Sequence, residues 1–492
     1  MARLKIGFVT SEVTPFARTG GLGDVSAALP KYLHRQDHDV RVFVPLYSQI
    51  HIDDYDFAAV PEVQAVVMRG TPATPRFSLY SATLPGSTLK VFFVHCPELY
   101  DRSGLYSRDP DESLRFAVLT RAAIESAQRM GWSPHVFHSQ DWQAALLPLY
   151  LRTLYAWDQL FRGTSTVLTI HNIGYQGVFS SSVLPSLGLE EARKHLDASD
   201  LREGRVNFMK TGIQWADEVT TVSPTYANEI LRETYGMGLH TVLQQRREHL
   251  TGILNGIDPD LWDPSTDPHL AQRYSVKSLA RKEKNKEDLL QRAGLPYAKG
   301  IPVFGIVTRL TVQKGIDYLH QPLFEMLQQR DVRLVVLASG EARYEEMFAG
   351  LVARFSGKVA FRRGFDDALA HKIEGGADFF LMPSLYEPCG LNQMYSLKYG
   401  TIPIVRKTGG LADSVALFDR ASQKGTGIVF DHPNADGVRW ALRYALELYA
   451  DQSAWKALVR NAMACDTSWN VQGEKYVELY ERASARVEAK AS

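Results

Sequence analysis

Short apolar runs alternate with longer amphipathic stretches along most of the chain. In the first half, residues 5–10, 39–45, 89–94, 136–138, 165–170 and 218–222 read as buried strands. Helical periodicity over 22–34, 113–130 and 142–154 fills intervals between them. From Ile257-Asp258-Pro259 to Pro268 the composition turns Pro- and Asp-rich, which reads as a linker. Alternation then restarts, with strand-like runs at 303–307, 333–338, 359–361, 379–382, 402–405 and 427–430. A last helical stretch covers about 473–490. Strands separated by helices predict largely parallel sheets covered on both faces. The expected class is therefore α/β, with two doubly wound domains and a cleft between them. Residues 1–255 form the first domain and 256–466 the second, with 467–492 packing back on the first.

Composition narrows the partners. At 492 residues the chain suits two domains, and 45% hydrophobic residues suffice for full cores. Lysine plus arginine (55) balances aspartate plus glutamate (55), which argues against a dedicated nucleic-acid binder. A neutral polymer such as a polysaccharide needs no basic excess. Cys96, Cys389 and Cys465 are too few and too scattered for a disulfide framework or a zinc motif, and they suit a reducing cytosol. The first residues lack a signal-peptide pattern, and no apolar run reaches the roughly 20 residues that span a bilayer. A cytoplasmic protein without membrane partner is expected.

The tetrapeptide Thr-Gly-Gly-Leu occurs twice. One copy reads Arg18-Thr19-Gly20-Gly21-Leu22-Gly23-Asp24, the other Lys407-Thr408-Gly409-Gly410-Leu411-Ala412-Asp413. Each has a basic residue before the glycine pair and an acid three places after it. Glycines permit close backbone approach, and the helix starts that follow favour an anion, so a phosphorylated ligand is expected. Arg309 and Lys314 follow the 303–307 run and can clamp a diphosphate, or simply begin a solvated helix. Glu387, in Glu387-Pro388-Cys389-Gly390-Leu391, follows another apolar run, where a carboxylate can orient sugar hydroxyls or close a turn. His171-Asn172-Ile173-Gly174-Tyr175-Gln176-Gly177 reads as a ligand loop after a buried strand. Asp141 stands at another strand end, as a ligand or as a helix cap. No HExxH pattern or carboxylate cluster marks a metal, and no cofactor is expected.

Together these segments resemble the bacterial glycogen synthase and plant starch synthase family of retaining GT-B glycosyltransferases. The resemblance runs from Ile6 to Trp469 and is densest over EPCGLNQMYSLKYGTIPIVRKTGGLADSV, from Glu387 to Val415. Supporting segments are HSQDWQAALLP at His138, HNIGYQG at His171, NGIDPDLWDP at Asn255 and TRLTVQKG at Thr308.

The resemblance implies transfer of glucose from ADP-glucose to the non-reducing end of an α-1,4-glucan, with retention. It implies that Arg309 and Lys314 hold the diphosphate and that Glu387 faces the donor glucose. Backbone around Cys389, Gly390 and Leu391 would bind hydroxyls and phosphate, and the His171 carbonyl would lie under the anomeric centre. Arg18, Gly20, Gly21, Asp24, Tyr100, Asp141, Asn172, Asn255, Asn392 and Tyr395 would contribute to substrate binding, and Phe365 would stack on the base. The family usually opens its first glycine loop with Lys, whereas this chain has Arg18, and Asn392 stands where bacterial relatives often have Thr. Both bear on ADP-glucose against UDP-glucose. A nicotinamide oxidoreductase is a rival on fold alone, but the second strand ends Val42-Phe43-Val44-Pro45-Leu46-Tyr47 without the ribose-binding acid. A glucan-binding protein without activity is a second rival, opposed by Arg309, Lys314 and Glu387 together.

Overall fold

A computed structural model describes residues 3–491. It divides into two compact units, one comprising residues up to Gly256 together with those from Trp469, the other Ile257–Ser468.

The first unit is built on a sheet whose neighbouring strands are Leu250–Gly252, Glu218–Thr221, Ser165–Ile170, Val136–Gln140, Lys5–Val9, Asp39–Pro45 and Lys90–His95, all parallel. Ser165–Ile170, Val136–Gln140 and Glu218–Thr221 are buried at every position, as strands covered by helices on both faces must be. Apolar periodicity does not reveal the far edge of this sheet. There Arg76–Thr83 pairs antiparallel with Lys90–His95, and Ala58–Ala59 and Val66–Val67 pair antiparallel with Arg76–Thr83. Phe77 and Leu79 are buried with more exposed residues on either side, the weaker signature of a one-sided strand.

The helix expected over 142–154 is two, Asp141–Ala144 and Leu147–Arg152. Pro148 lacks an N–H and would clash with the carbonyl of Ala144, so the first helix stops there. The final helix, Trp469–Ala491, packs within the first unit. Its Tyr480 hydroxyl meets buried His138 Nδ1 at 2.8 Å, and Gly473 lies against Tyr32, where an added Cβ would come within 2.1 Å of the ring.

The second unit has a six-stranded, wholly parallel sheet among the described residues. Its order is Val359–Arg363, Arg333–Gly340, Val303–Leu310, Phe379–Met382, Ile402–Arg406 and Ile428–Phe430. The Pro- and Asp-rich stretch after Ile257 is not a loose linker. Trp262 stacks on His371 and on Tyr395, both at 3.8 Å, and Asp263 pairs with Lys398 at 2.9 Å. Its composition reads as solvent-loving because the acids carry it; those acids are engaged by specific partners inside the unit.

Both units are therefore doubly wound, Rossmann-like α/β sheets, and neither closes into a barrel. No helix of the described residues is long and apolar enough to cross a membrane.

Candidate active site

In a doubly wound sheet, ligands collect at the carboxyl ends of strands where the winding reverses. In the second unit that point lies between Val303–Leu310 and Phe379–Met382, the strand pair from which the chain proceeds to opposite edges. Arg309 and Lys314 leave the first strand, and Ser384 and Glu387 leave the second. Lys314 Nζ lies 2.5 Å from Glu387 Oε2, which also accepts from the Ser384 hydroxyl at 3.0 Å. Glu387 is buried, yet its Oε1 accepts no hydrogen bond among the described residues. Arg309 is exposed and its guanidinium makes no ion pair among the described residues. The Gly390 and Leu391 amides, at the start of the Asn392–Tyr399 helix, likewise donate to nothing described. Cations, open amides and one carboxylate oxygen thus share the carboxyl ends of two adjacent strands, a place able to bind a phosphate next to a hydroxylated ligand.

The second glycine pair serves this patch indirectly. A Cβ on Gly409 would sit 1.9 Å from the Glu387 carbonyl, and one on Gly410 would sit 2.2 Å from the Cys389 carbonyl. The Gly410 amide donates to the Glu387 carbonyl at 3.1 Å. These glycines let two backbone segments touch, so they shape the Glu387–Cys389 loop instead of receiving an anion. Gly20, by contrast, has no atom within 4 Å of its would-be Cβ. The repeated tetrapeptide has two different jobs.

In the first unit the winding reverses between Lys5–Val9 and Val136–Gln140. Asp141 follows the second of these strands with φ 53°, and its Oδ1 accepts from the amides of His171 (2.8 Å) and Asn172 (3.3 Å). It is not the cap of its own helix: it holds the 171–177 loop in place. Burial pushes its carboxyl up to about 7, with the His171 and Asn172 amides opposing. His171 Nε2 lies 2.8 Å from Gln140 Oε1, and burial pushes the imidazole down to about 3. The ring is therefore neutral near pH 7, Nε2 carries the proton to Gln140, and Nδ1 is an acceptor. Asn172 Oδ1 accepts from the Gly174 amide at 3.0 Å, closing the loop's turn. Asn255 is buried with its Oδ1 lacking any hydrogen-bond partner among the described residues, the kind of polar atom a ligand satisfies.

The first glycine loop holds a residue that no motif singles out. Buried Glu12 accepts from the Thr19 amide (2.7 Å), the Thr19 hydroxyl (2.6 Å), the Gly20 amide (3.3 Å) and the Tyr106 hydroxyl (2.6 Å). Two amides expected to meet a ligand anion are bound to the chain's own carboxylate. A signal was available: an acid just past the carboxyl end of the first buried strand. Arg18 is paired with Asp24 at 3.1 Å, and Thr14 donates to the same carboxylate at 3.0 Å. Gly21 opens the helix that Gly20 caps.

Two expected substrate residues pack against the chain's own side chains. Tyr100 is wholly buried, its hydroxyl donates to the Arg115 carbonyl at 2.7 Å, and its ring packs against Tyr47. It is core, because a large amphipathic side chain with an internal acceptor is stable inside. Tyr395 is buried and its ring lies flat on Trp262, so it too is a packing residue. Asn392 donates to the Val307 carbonyl at 2.9 Å, tying the Asn392–Tyr399 helix to the central strand. Cys389 is buried and its carbonyl accepts from Gln393 at 3.0 Å. Phe365 is 74% exposed just after Val359–Arg363, on the carboxyl edge. A cavity of about 1190 Å³ in the second unit lies at the other edge, lined by residues such as Lys286, Asp378 and Trp455, and none of the expected catalytic or substrate-binding residues borders it.

Comparison with known proteins places this geometry in a family. A starch synthase catalytic domain matches residues 5–245, and a glycosyl transferases group 1 domain matches 289–462. The chain is 43% identical over 486 residues to a glycogen synthase of Koribacter versatilis, covering 98% of each protein. It is 44% identical over 482 residues to a glycogen synthase of Anaeromyxobacter dehalogenans, covering 97% of this chain and 98% of that one. The catalytic domain of starch synthase IV from Arabidopsis thaliana, solved bound to ADP and acarbose, superimposes with a TM-score of 0.91 at 35% identity, over 98% of this chain and 100% of that one. A sucrose-phosphate synthase from Thermosynechococcus elongatus, 17% identical with a TM-score of 0.61 over 98% of this chain and 100% of that one, shares the fold. With two wound sheets of GT-B type, and similarity along nearly its whole length, the chain belongs to the glycogen synthase and starch synthase family of glycosyltransferases.

Proposed function

We propose that the chain transfers glucose from ADP-glucose to the non-reducing end of an α-1,4-glucan with retained anomeric configuration, in the cytoplasm. The observation that carries this reading is the second-unit switch point. There one carboxylate has Oε2 saturated by Lys314 and Ser384 and Oε1 left to a sugar hydroxyl, beside Arg309 and two amides that no described residue engages. ADP in the Arabidopsis relative supports the adenine nucleotide as leaving group.

In this mechanism the bond between the sugar's anomeric carbon and the phosphate oxygen lengthens first, and its electron pair stays with the diphosphate. Arg309, Lys314 and the Gly390 and Leu391 amides take up that charge. Lys314 has three N–H donors, and Glu387 uses one. The acceptor hydroxyl attacks from the face the diphosphate is leaving, and its proton passes to the departing oxygen. In the first unit, the neutral His171 imidazole offers Nδ1 to a substrate hydroxyl. Asp141 acts on His171 and Asn172 as a positioning residue.

Arg18 supports a second donor reading. Its planar guanidinium is held by Asp24 at 3.1 Å, where a Lys ammonium would present a compact charge, and this permits UDP-glucose. Radiolabelled ADP-glucose and UDP-glucose, offered separately with a glucan primer, separate the two. Faster incorporation from ADP-glucose is expected. Preference for UDP-glucose would overturn the donor assignment, and incorporation from neither would overturn the activity.

A further inference from the structure

His269 lies about 100 residues before Asp367 and His371 in the chain, and the three lie together in the second unit, each offering a ligand atom within 4.8 Å of the others. Asp367 and His371 are four apart on the Asp367–Gly376 helix and so share a face. His269 comes from the stretch beyond Trp262.

The supporting contacts of this cluster are already made. His371 is buried, and its Nδ1 lies 2.8 Å from Asp267 Oδ2. Donation of that N–H leaves the lone pair on Nε2, which is 3.9 Å from the Asp367 carboxylate. Asp267 is itself buried; its Oδ1 accepts from the His269 amide at 2.8 Å and its Oδ2 from the Tyr399 hydroxyl at 2.6 Å. One carboxylate thus positions both histidines. Trp262 lies on His371 at 3.8 Å with 6° between the planes and holds the ring's orientation. A histidine that donates one ring N–H to a carboxylate and turns the other nitrogen outward is the arrangement metal-binding imidazoles adopt. A purely structural hydrogen bond accounts for Asp267, Tyr399 and Trp262. It leaves unexplained why the His269 ring sits 4.7 Å from that of His371 with Asp367 beside it.

We propose that His269, Asp367 and His371 bind a divalent transition metal of the zinc class, with two imidazoles and one carboxylate as protein ligands. Imidazole donors favour such ions over magnesium or calcium. Ligand atoms now within 4.8 Å of one another must close to about 3.5 Å for metal bonds near 2.1 Å, and the half-exposed Asp367 and His269 are the side chains that move. The ion joins the stretch beginning at Ile257, where the chain enters the second unit, to the Asp367–Gly376 helix.

The test is a calorimetric titration of the metal-free, full-length protein with Zn²⁺, with thermal melts in parallel. Saturable binding of one Zn²⁺ per chain is expected, together with a rise of several degrees in the second unit's melting midpoint at saturation. His269→Ala should weaken binding at least about tenfold and abolish the rise, leaving the metal-free midpoint and glucosyl transfer unchanged. Asp367→Asn, at a half-exposed position, should weaken binding likewise and decides the matter if His269→Ala alters the fold. Absence of saturable binding below about 1 mM Zn²⁺ would overturn the proposal. So would binding and stabilisation that are the same in both variants as in the parent, or Mg²⁺ binding as tight as Zn²⁺.

Discussion

Glu387 and Asp141 are both buried carboxylates, and their neighbours give them opposite characters. Glu387 has a cation at 2.5 Å. Removing that cation in Lys314→Ala takes away charge needed as the diphosphate departs, so kcat should fall ~10²-fold or more. The Ser384 hydroxyl still serves Glu387, so the melting midpoint should move by only a few degrees; near-parental turnover would refute the role. Asp141 has only amides, and burial pushes it up to about 7 from an ordinary value near 3.8. The folded protein therefore keeps a proton that the unfolded chain has already released. Its stabilising contribution is complete below about pH 3.8 and is lost as pH rises through about 7. Asp141→Asn keeps an oxygen for the two amides and tolerates the positive φ. It should match the parent in melts near pH 3.5 and exceed it near pH 8. His171 runs the other way, its contribution being lost as pH falls from 6.5 toward 3, but it is common to both proteins. An Asn variant no more stable at pH 8 would show that Asp141 is not held protonated.

At the scale of elements, sequence resemblance between two segments does not fix their roles. Both Thr-Gly-Gly-Leu copies open helices, Gly21–Arg35 and Gly409–Ser414. In the second, backbone is pressed against both glycines, whereas Gly20 of the first has open space. Gly410→Ala should displace the Glu387–Cys389 loop, lower the melting midpoint and reduce transfer at least about tenfold, since a Cβ 2.2 Å from a carbonyl has no soft neighbour to push aside. Gly20→Ala, in extended backbone with open space, should lower the midpoint only slightly, by the weaker capping of Ala. Equal midpoints for the two variants would contradict this division. Strands buried on both faces were legible because their apolar runs are continuous. Arg76–Thr83 was not, since it depends on which neighbour the segment meets, whereas the break at Pro148 has a local cause in the proline itself.

At the scale of the whole chain, the two units are not equally continuous. Residues 257–468 are a single stretch, and its ends pair through the Ile257 amide and the Thr467 carbonyl at 2.9 Å. This fragment should fold alone and melt cooperatively. Residues 1–256 without the final helix lose Tyr480 from His138, Arg486 from Glu218 and the buried face of Tyr476, Val477, Ala483 and Val487. They should melt at least about 10 °C below the same unit in the full chain, because a buried apolar surface and a buried carboxylate are both left without partners. A fragment melting at the full-chain temperature would show that the helix is dispensable.

The fold class, the alternation within the two sheets and the family could all be read along the chain, because buried strands and glycine-rich loops write their needs into consecutive residues. The sequence also pointed to Arg309, Lys314, Glu387, His171 and Asp141, since strand ends are where chemistry collects in wound sheets. What each side chain touches emerges only in the folded chain. Folding put Tyr100 and Tyr395 into packing, placed Glu12 on amides expected to await a ligand, and made Asp141 the holder of its neighbour loop. It also gathered His269, Asp367 and His371 across about 100 residues. Periodicity reports local burial; partners far apart in the chain are fixed by how the strands are wound, and no short stretch of residues encodes that order.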